Sequence, residues 1–228
     1  MKTIQTKPQR MGGLLFALFI LCLLNAKTLA AEAGDLDQAA NGGVNDIPTN
    51  PVDWINGNSN AQKSHFVEGD SIPYRLKLTD LTVGTNYVDI DWDIRESSKA
   101  AIDYITSFQR INETVNPLKG LTGTYSSTNT FPIPPPPVST TSGTPGNLPQ
   151  PLTSFSSLPA SQRNITIYNG VITSVQYINN ADGNLGNWSV AKSDQRIRIT
   201  FNATAAQVVL AWGGHIASRR DWGEGNSA

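Results

Sequence analysis

The sequence predicts an all-β fold: an antiparallel β-sandwich with one short helix and a long Pro-rich loop. Three observations predict it. Several short runs alternate apolar with polar residues, turn signals rich in Gly, Asn and Pro separate those runs, and no strand-helix-strand alternation builds a parallel sheet.

The chain opens on Lys2, Lys7 and Arg10, continues through an apolar run from Leu14 to Leu24, and reaches small residues at Ala30 and Ala31. A positive n-region, an apolar stretch below the roughly 20 residues that a spanning helix needs, and a small-residue cleavage site read as a signal peptide over residues 1–30. The expected location is therefore secreted, extracellular or cell-surface. No later run has the length for a transmembrane segment. Cys22 sits behind Ile20 and Leu21, where a lipid-attachment site would need a small residue, so a lipoprotein reading is rejected.

The whole chain carries 17 Lys and Arg against 18 Asp and Glu. Residues 1–30 hold four of the basic residues and none of the acidic ones, which leaves 13 against 18, or −5. A mildly acidic exported chain is not built to coat nucleic acid or anionic lipid. Cys22 is the only cysteine, so the mature part is expected to hold together by burial alone, and thiol and redox chemistry are excluded. Its length suffices for one domain with a real core.

Residues 31–51 are small, polar and aperiodic, and read as a flexible lead-in; residues 52–228 are expected to form the β-sandwich domain. A strand is predicted from Ser71 to Thr79, with Ile72, Tyr74, Leu76 and Leu78 on one face and Pro73 near its start or on a sheet edge. From Tyr87 to Ile94 the alternation is stricter. Val88, Ile90, Trp92 and Ile94 point inward, and Asp89, Asp91 and Asp93 form an acidic row outward. Between Ser97 and Phe108 the period changes, and Ser98 could cap a short helical crossover carrying Ala101, Ile102 and Ile105. Residues from about 112 to 161 read as a low-complexity insertion around Phe131-Pro132-Ile133-Pro134 and the prolines that follow. Asn169-Gly170 between two apolar runs signals a hairpin. The chain closes with a strand from Arg196 to Phe201 and the apolar run Val208 to Trp212. Gly213 and Gly214 are expected to turn or bulge the chain after that run, Arg219 and Asp221 to tie the corner as an ion pair, and Trp222 to cap the sandwich end.

Several groups of residues could carry chemistry. Alternate strand positions lie about 7 Å apart, so Asp89, Asp91 and Asp93 could collect Ca²⁺ with help from a loop; a solvated strand face is the ordinary alternative. No other cofactor is implied. The loop from Asn180 to Gly186 fails the EF-hand pattern, with Leu185 where the Gly should stand, and reads as a turn. His65 and His215 are the only histidines, and no zinc spacing accompanies them. His215, near Arg219 and Asp221, could act as an acid or base in a cleft, against the plainer reading of a hydrogen-bonded structural histidine. Ser189-Val190-Ala191-Lys192 matches S-x-x-K without its partner motifs. Of the tryptophans, Trp92 and Trp212 lie on strands and read as core, whereas Trp54, Trp188 and Trp222 lie in loop-like contexts where an aromatic face could stack on a sugar.

These residues form a pattern. Trp54-Ile55-Asn56-Gly57-Asn58, then Glu68-Gly69-Asp70-Ser71 with Pro73-Tyr74-Arg75, then Asp91-Trp92-Asp93, then Leu210-Ala211-Trp212-Gly213-Gly214-His215-Ile216-Ala217 with Arg219 and Asp221-Trp222-Gly223, resemble a family of exported bacterial surface proteins of uncharacterised function. The resemblance spans the predicted domain apart from the Pro-rich insertion. It implies a module set ahead of prealbumin-like or adhesin-type repeats and brings no catalytic residues with it. Similar proteins continue past the point where this chain stops, so the expectation is either a fragment or a module that stands alone. The function expected from all this is a secreted or cell-surface structural or adhesive β-sandwich without catalytic activity, engaging a cell-surface or extracellular-matrix component such as a polysaccharide. The alternatives are a carbohydrate- or Ca²⁺-dependent binding module and a secreted hydrolase around His215 and Asp221.

Overall fold

The computed structural model describes residues 33–57 and 59–227. The signal-peptide reading falls on residues 1–30 and lies outside them. The described residues form two antiparallel sheets, as the alternation predicts. In chain order the strands are β1 (Ala33–Ala40), β2 (Asp53–Asn56), β3 (Ser71–Thr79), β4 (Gly84–Glu96), β5 (Lys99–Ala100), β6 (Ile102–Thr106), β7 (Thr128–Pro132), β8 (Asn164–Tyr168), β9 (Gly170–Ile178), β10 (Ser193–Ala203) and β11 (Val208–Ile216). Two short α-helices, α1 (Leu152–Ser157) and α2 (Arg219–Trp222), and single 3-10 turns at Pro145–Asn147 and Ala160–Gln162 complete the elements of the described residues.

Sheet A runs β2-β1-β3-β11-β8-β7, with β6 pairing β11 beyond the end of β8. Sheet B runs β5-β4-β10-β9. The inner faces meet in one core: Ile197, Ile199 and Phe201 of β10 and Ile172 and Val175 of β9 pack with Leu76, Tyr104, Ile165, Ile167, Leu210 and Trp212 of sheet A. β11 lies at the centre, flanked on both sides, and only its last residue is not fully buried. That is why Val208 to Trp212 reads as a continuous apolar run rather than an alternating one.

The sheets are unequal in width. Sheet A continues past β3 into β1 and β2, while sheet B ends at β4, whose far side is paired only at Arg95 and Glu96 by the two-residue β5. The inner side chains of β4 are consequently half-buried at Val88, Ile90 and Trp92, and Leu36 on β1 is 50% exposed although it lies in register with Leu76.

Several elements differ from the sequence expectation. Residues 33–40 are a strand, not a flexible lead-in. Asp35 and Asp37 pair with Lys77 and Arg75 of β3, so cross-strand charge supplies what the sparse apolar content of the segment does not. The helix expected after Ser97 is a hairpin. Ser97 and Ser98 both take positive φ, 51° and 66°, and set Glu96 opposite Lys99, the geometry of a two-residue primed turn. The region from about 112 to 161 is packed rather than looped out: Thr128–Pro132 pairs along β8, Ile133 and Phe155 are core, and the one helix expected elsewhere is found here as α1. Pro132 sits at the end of an edge strand, where no ladder donor is missed. Asn169 takes the positive φ expected of it, 58°, but it turns the chain from sheet A into sheet B instead of closing a hairpin within one sheet. Its side chain accepts from Ser126 N and donates to the carbonyls of Thr124 and Gln207.

Candidate functional site

Two places gather the side chains singled out by the sequence. The first is the corner where β11 ends. Gly213 and Gly214 do not turn the chain there; they continue β11, because a Cβ on Gly213 would lie 2.5 Å from Thr106 Oγ1 and 2.7 Å from the Ser107 carbonyl. The bulge comes one residue later, between His215 and Ile216, and it seats the imidazole against β6. His215 Nδ1 lies 2.6 Å from Asp103 Oδ1, and Trp222 Nε1 donates to the other oxygen, Oδ2, at 2.8 Å. Asp103 has no exposed surface, so the burial of its charge is matched by partners on both oxygens. The imidazole stacks on Tyr104 at 4.3 Å between ring centroids and 10° between planes.

A second chain of bonds runs alongside. The Tyr104 hydroxyl and Ser154 Oγ are 2.9 Å apart, Ser154 donates to Asp221 Oδ2 at 2.9 Å, and Ser218 Oγ donates to the same oxygen at 3.0 Å. Burial, with the Asp103 charge beside it, pushes the Tyr104 phenol well above its ordinary range, so it stays a neutral donor. Arg219 does not pair with Asp221 as expected. It pairs with Glu68 and Glu224, and its backbone N–H, followed by its guanidinium, holds the Glu68 carboxyl below the usual range. A polar hollow of about 350 Å³ opens here, lined by His215, Ser154, Asp221, Arg110 and Glu68 among others. Its Asp-His pair resembles the base half of a hydrolytic triad, yet the Ser154 hydroxyl is bound to Asp221 and not to the imidazole.

Trp188 and Trp222 are not free for a ligand. They are buried, 4.4 Å apart between ring centroids, with Trp188 Nε1 donating to the Val138 carbonyl. Trp54 lies on β2, half-buried under the Arg75 guanidinium at 4.7 Å, and donates to the Asn116 carbonyl. The acidic row is engaged as well. Arg198 and Arg196 of β10 grip Asp89 and Asp91 with two hydrogen bonds each, at 2.6–2.8 Å, and Lys192 lies 3.7 Å from Asp93 and 2.9 Å from Glu96. Among the described residues no group of three or more His, Cys, Asp or Glu is placed to hold a metal ion.

The second place is the cleft left by the shortness of sheet B. It encloses about 500 Å³ between Ile90 and Trp92 of β4, Tyr74 of β3, Trp212 of β11, Ile102 and Ile105 of β6, and Leu36 of β1. Tyr74 and Trp212 stack at 5.8 Å and 18° and form its floor, and Asp91, Asp93 and Glu96 form its rim. A smaller hollow of about 190 Å³ extends it over Leu36, Gln38 and Gly57. Trp92 Nε1 is buried without a hydrogen-bond partner among the described residues. Trp212 is core as read, 3% exposed, and also borders the cleft, whereas Trp92 is only half-buried at its wall; of the tryptophans read as free, Trp188 and Trp222 are buried and Trp54 is half-buried. The signal missed in the sequence is that D-I-D-W-D of β4 and R-I-R-I of β10 are charge-complementary alternations, which predicts their pairing and removes the acidic row from the candidates.

Among the described residues no helix is long and apolar enough to cross a membrane. No protein-family model matches the sequence, and neither the curated proteins nor the solved structures contain a match.

Proposed function

We propose that this chain is an exported β-sandwich binding module, secreted or displayed at the cell surface, with an adhesive or structural role that captures a partner without altering it. The observation that carries the reading is the cleft between the sheets: apolar, aromatic-floored and open at the rim, with the volume expected of a binding site. The leader, the acidic balance of the remaining chain and the resemblance to exported surface proteins support the same reading. A matrix or cell-surface component is the expected partner. A polysaccharide is the runner-up ligand, favoured by the partly exposed aromatic rings of Tyr74 and Trp92 in the cleft lining.

The test is adhesion of the purified mature chain to matrix proteins and to a glycan array. Binding is expected to survive unchanged ligand recovery and to fall at least tenfold in Trp92→Ala. Turnover of a bound polysaccharide or peptide would overturn the reading in favour of a hydrolase, for which the one favourable observation is the Asp103 carboxylate orienting the His215 imidazole.

A further inference from the structure

Resting on the binding-module reading, we infer that the cleft takes an extended peptide, which adds a strand to sheet B along the free edge of β4. β4 is the longest strand among the described residues, at 13 residues, and is paired with β10 from Gly84 to Arg95. On its other side only Arg95 and Glu96 have a strand partner. From Thr85 to Asp93 that edge presents backbone donors and acceptors with no strand beside them among the described residues, and an open edge is a template for pairing. A guest strand would lie about 4.8 Å from β4, above the part of sheet A that sheet B leaves uncovered. Leu36 and Gln38 stand there in register with Leu76 and Tyr74, and Leu36 is half exposed.

The surroundings specify the guest's chemistry. Side chains on its inner face enter a cleft walled by Ile90, Trp92 and Ile102, so they are apolar. Those on its outer face flank Asp89 and Asp91, which already hold Arg198 and Arg196, and Asp93, which shares the single Lys192 with Glu96; at that end carboxylates outnumber cations, so a basic guest residue is favoured there. β10 already obeys that rule on the other side, with Arg198 and Arg196 opposite Asp89 and Asp91. The partner is therefore a segment of alternating apolar and basic residues. A second copy of β4 fits poorly, because antiparallel pairing of two such edges sets acidic rows beside each other. A saccharide would use the aromatic floor and leave the strand edge unpaired.

The probe is a synthetic peptide with the sequence of residues 195–202, Gln-Arg-Ile-Arg-Ile-Thr-Phe-Asn, the pattern that β4 selects within its own sheet. It is titrated into the mature chain by calorimetry beside two N-methylated forms, each blocking one alternate set of backbone N–H groups. Saturable binding is expected, lost in one N-methylated form and kept in the other, because only alternate amides of an added strand face β4. Leu36→Asp, at an exposed position, is expected to weaken it at least tenfold. Absence of binding, or equal behaviour of the two N-methylated forms, overturns strand addition. A concentration-dependent dimer that the peptide does not displace assigns the edge to a second copy and overturns it too. If the chain ignores the peptide yet binds matrix or glycan in a Trp92-dependent way, strand addition falls and the binding-module reading stands; if it binds none of them, both fall.

Discussion

Gln195 lies on the inner face of β10, in register with Trp92, and has no exposed surface. Neither end of its amide meets a hydrogen-bond partner among the described residues. An unsatisfied buried polar group costs about 1–3 kcal/mol, whereas an apolar replacement of similar volume removes the cost. Gln195→Met is expected to raise the unfolding free energy by about 1 kcal/mol, read from the urea midpoint at unchanged slope. A fall of that size would show that a bound water or ligand satisfies the amide in the folded chain. Single side chains were the least legible scale in the sequence. Loop-like context made Trp188 and Trp222 look free, yet each is buried against the other. Strand context makes Trp92 look as enclosed as Trp212, yet only Trp212 is buried and Trp92 is half-buried at the cleft wall, because whether an inward side chain is covered depends on the width of the opposing sheet.

At the scale of elements, the alternating strands were legible because their period is enforced by one buried face: β3, β4 and β10 fall where the apolar residues alternate. β1 was not, since its charges rather than its apolar residues bind it to β3, and the Ser97-Ser98 hairpin was not, since serine is an uncommon choice at two positive-φ positions. The element most constrained by its neighbours is β11. Its Gly213 is held between β3 and β6, and an added Cβ would meet Thr106 Oγ1, a backbone carbonyl and Ser71 Cβ, the last at 3.0 Å. Neither flanking strand can move without breaking its own ladder. Gly213→Ala is expected to cost about 3 kcal/mol or to prevent folding. Gly34→Ala serves as the control, since its Cβ would make an ordinary 3.4 Å contact with the Leu78 side chain and should change stability little. Equal thermal midpoints for the two variants would contradict this account.

Over the whole molecule, what the sequence hid is the inequality of the two sheets. Which strands pair is set by contacts between distant segments: β3 and β11 are far apart in the chain and carry no signal of their adjacency, and β4 and β10 carry only the complementary charges of their outer faces. The same pairing decides the fate of the acidic surplus. On the outer face of sheet B, Asp89 and Asp91 are each satisfied by a bidentate arginine, and the hydrogen bonds that Arg198 and Arg196 donate to those carboxylates raise the guanidinium pKa above its ordinary value. Lys192, whose own pKa is raised by its bond to Glu96, spans Glu96 and Asp93, and that same hydrogen bond, followed by its charge, holds the Glu96 carboxyl below the usual range. A cation entering this face would have to displace an internal partner from each carboxylate, without a preformed cage of oxygens to repay the loss. Neither EDTA nor millimolar Ca²⁺ is therefore expected to shift the melting temperature of the folded domain at neutral pH. A rise of several degrees with Ca²⁺, abolished by Asp91→Asn, would instead show that the ion outcompetes Arg196 and that the row is a metal site after all.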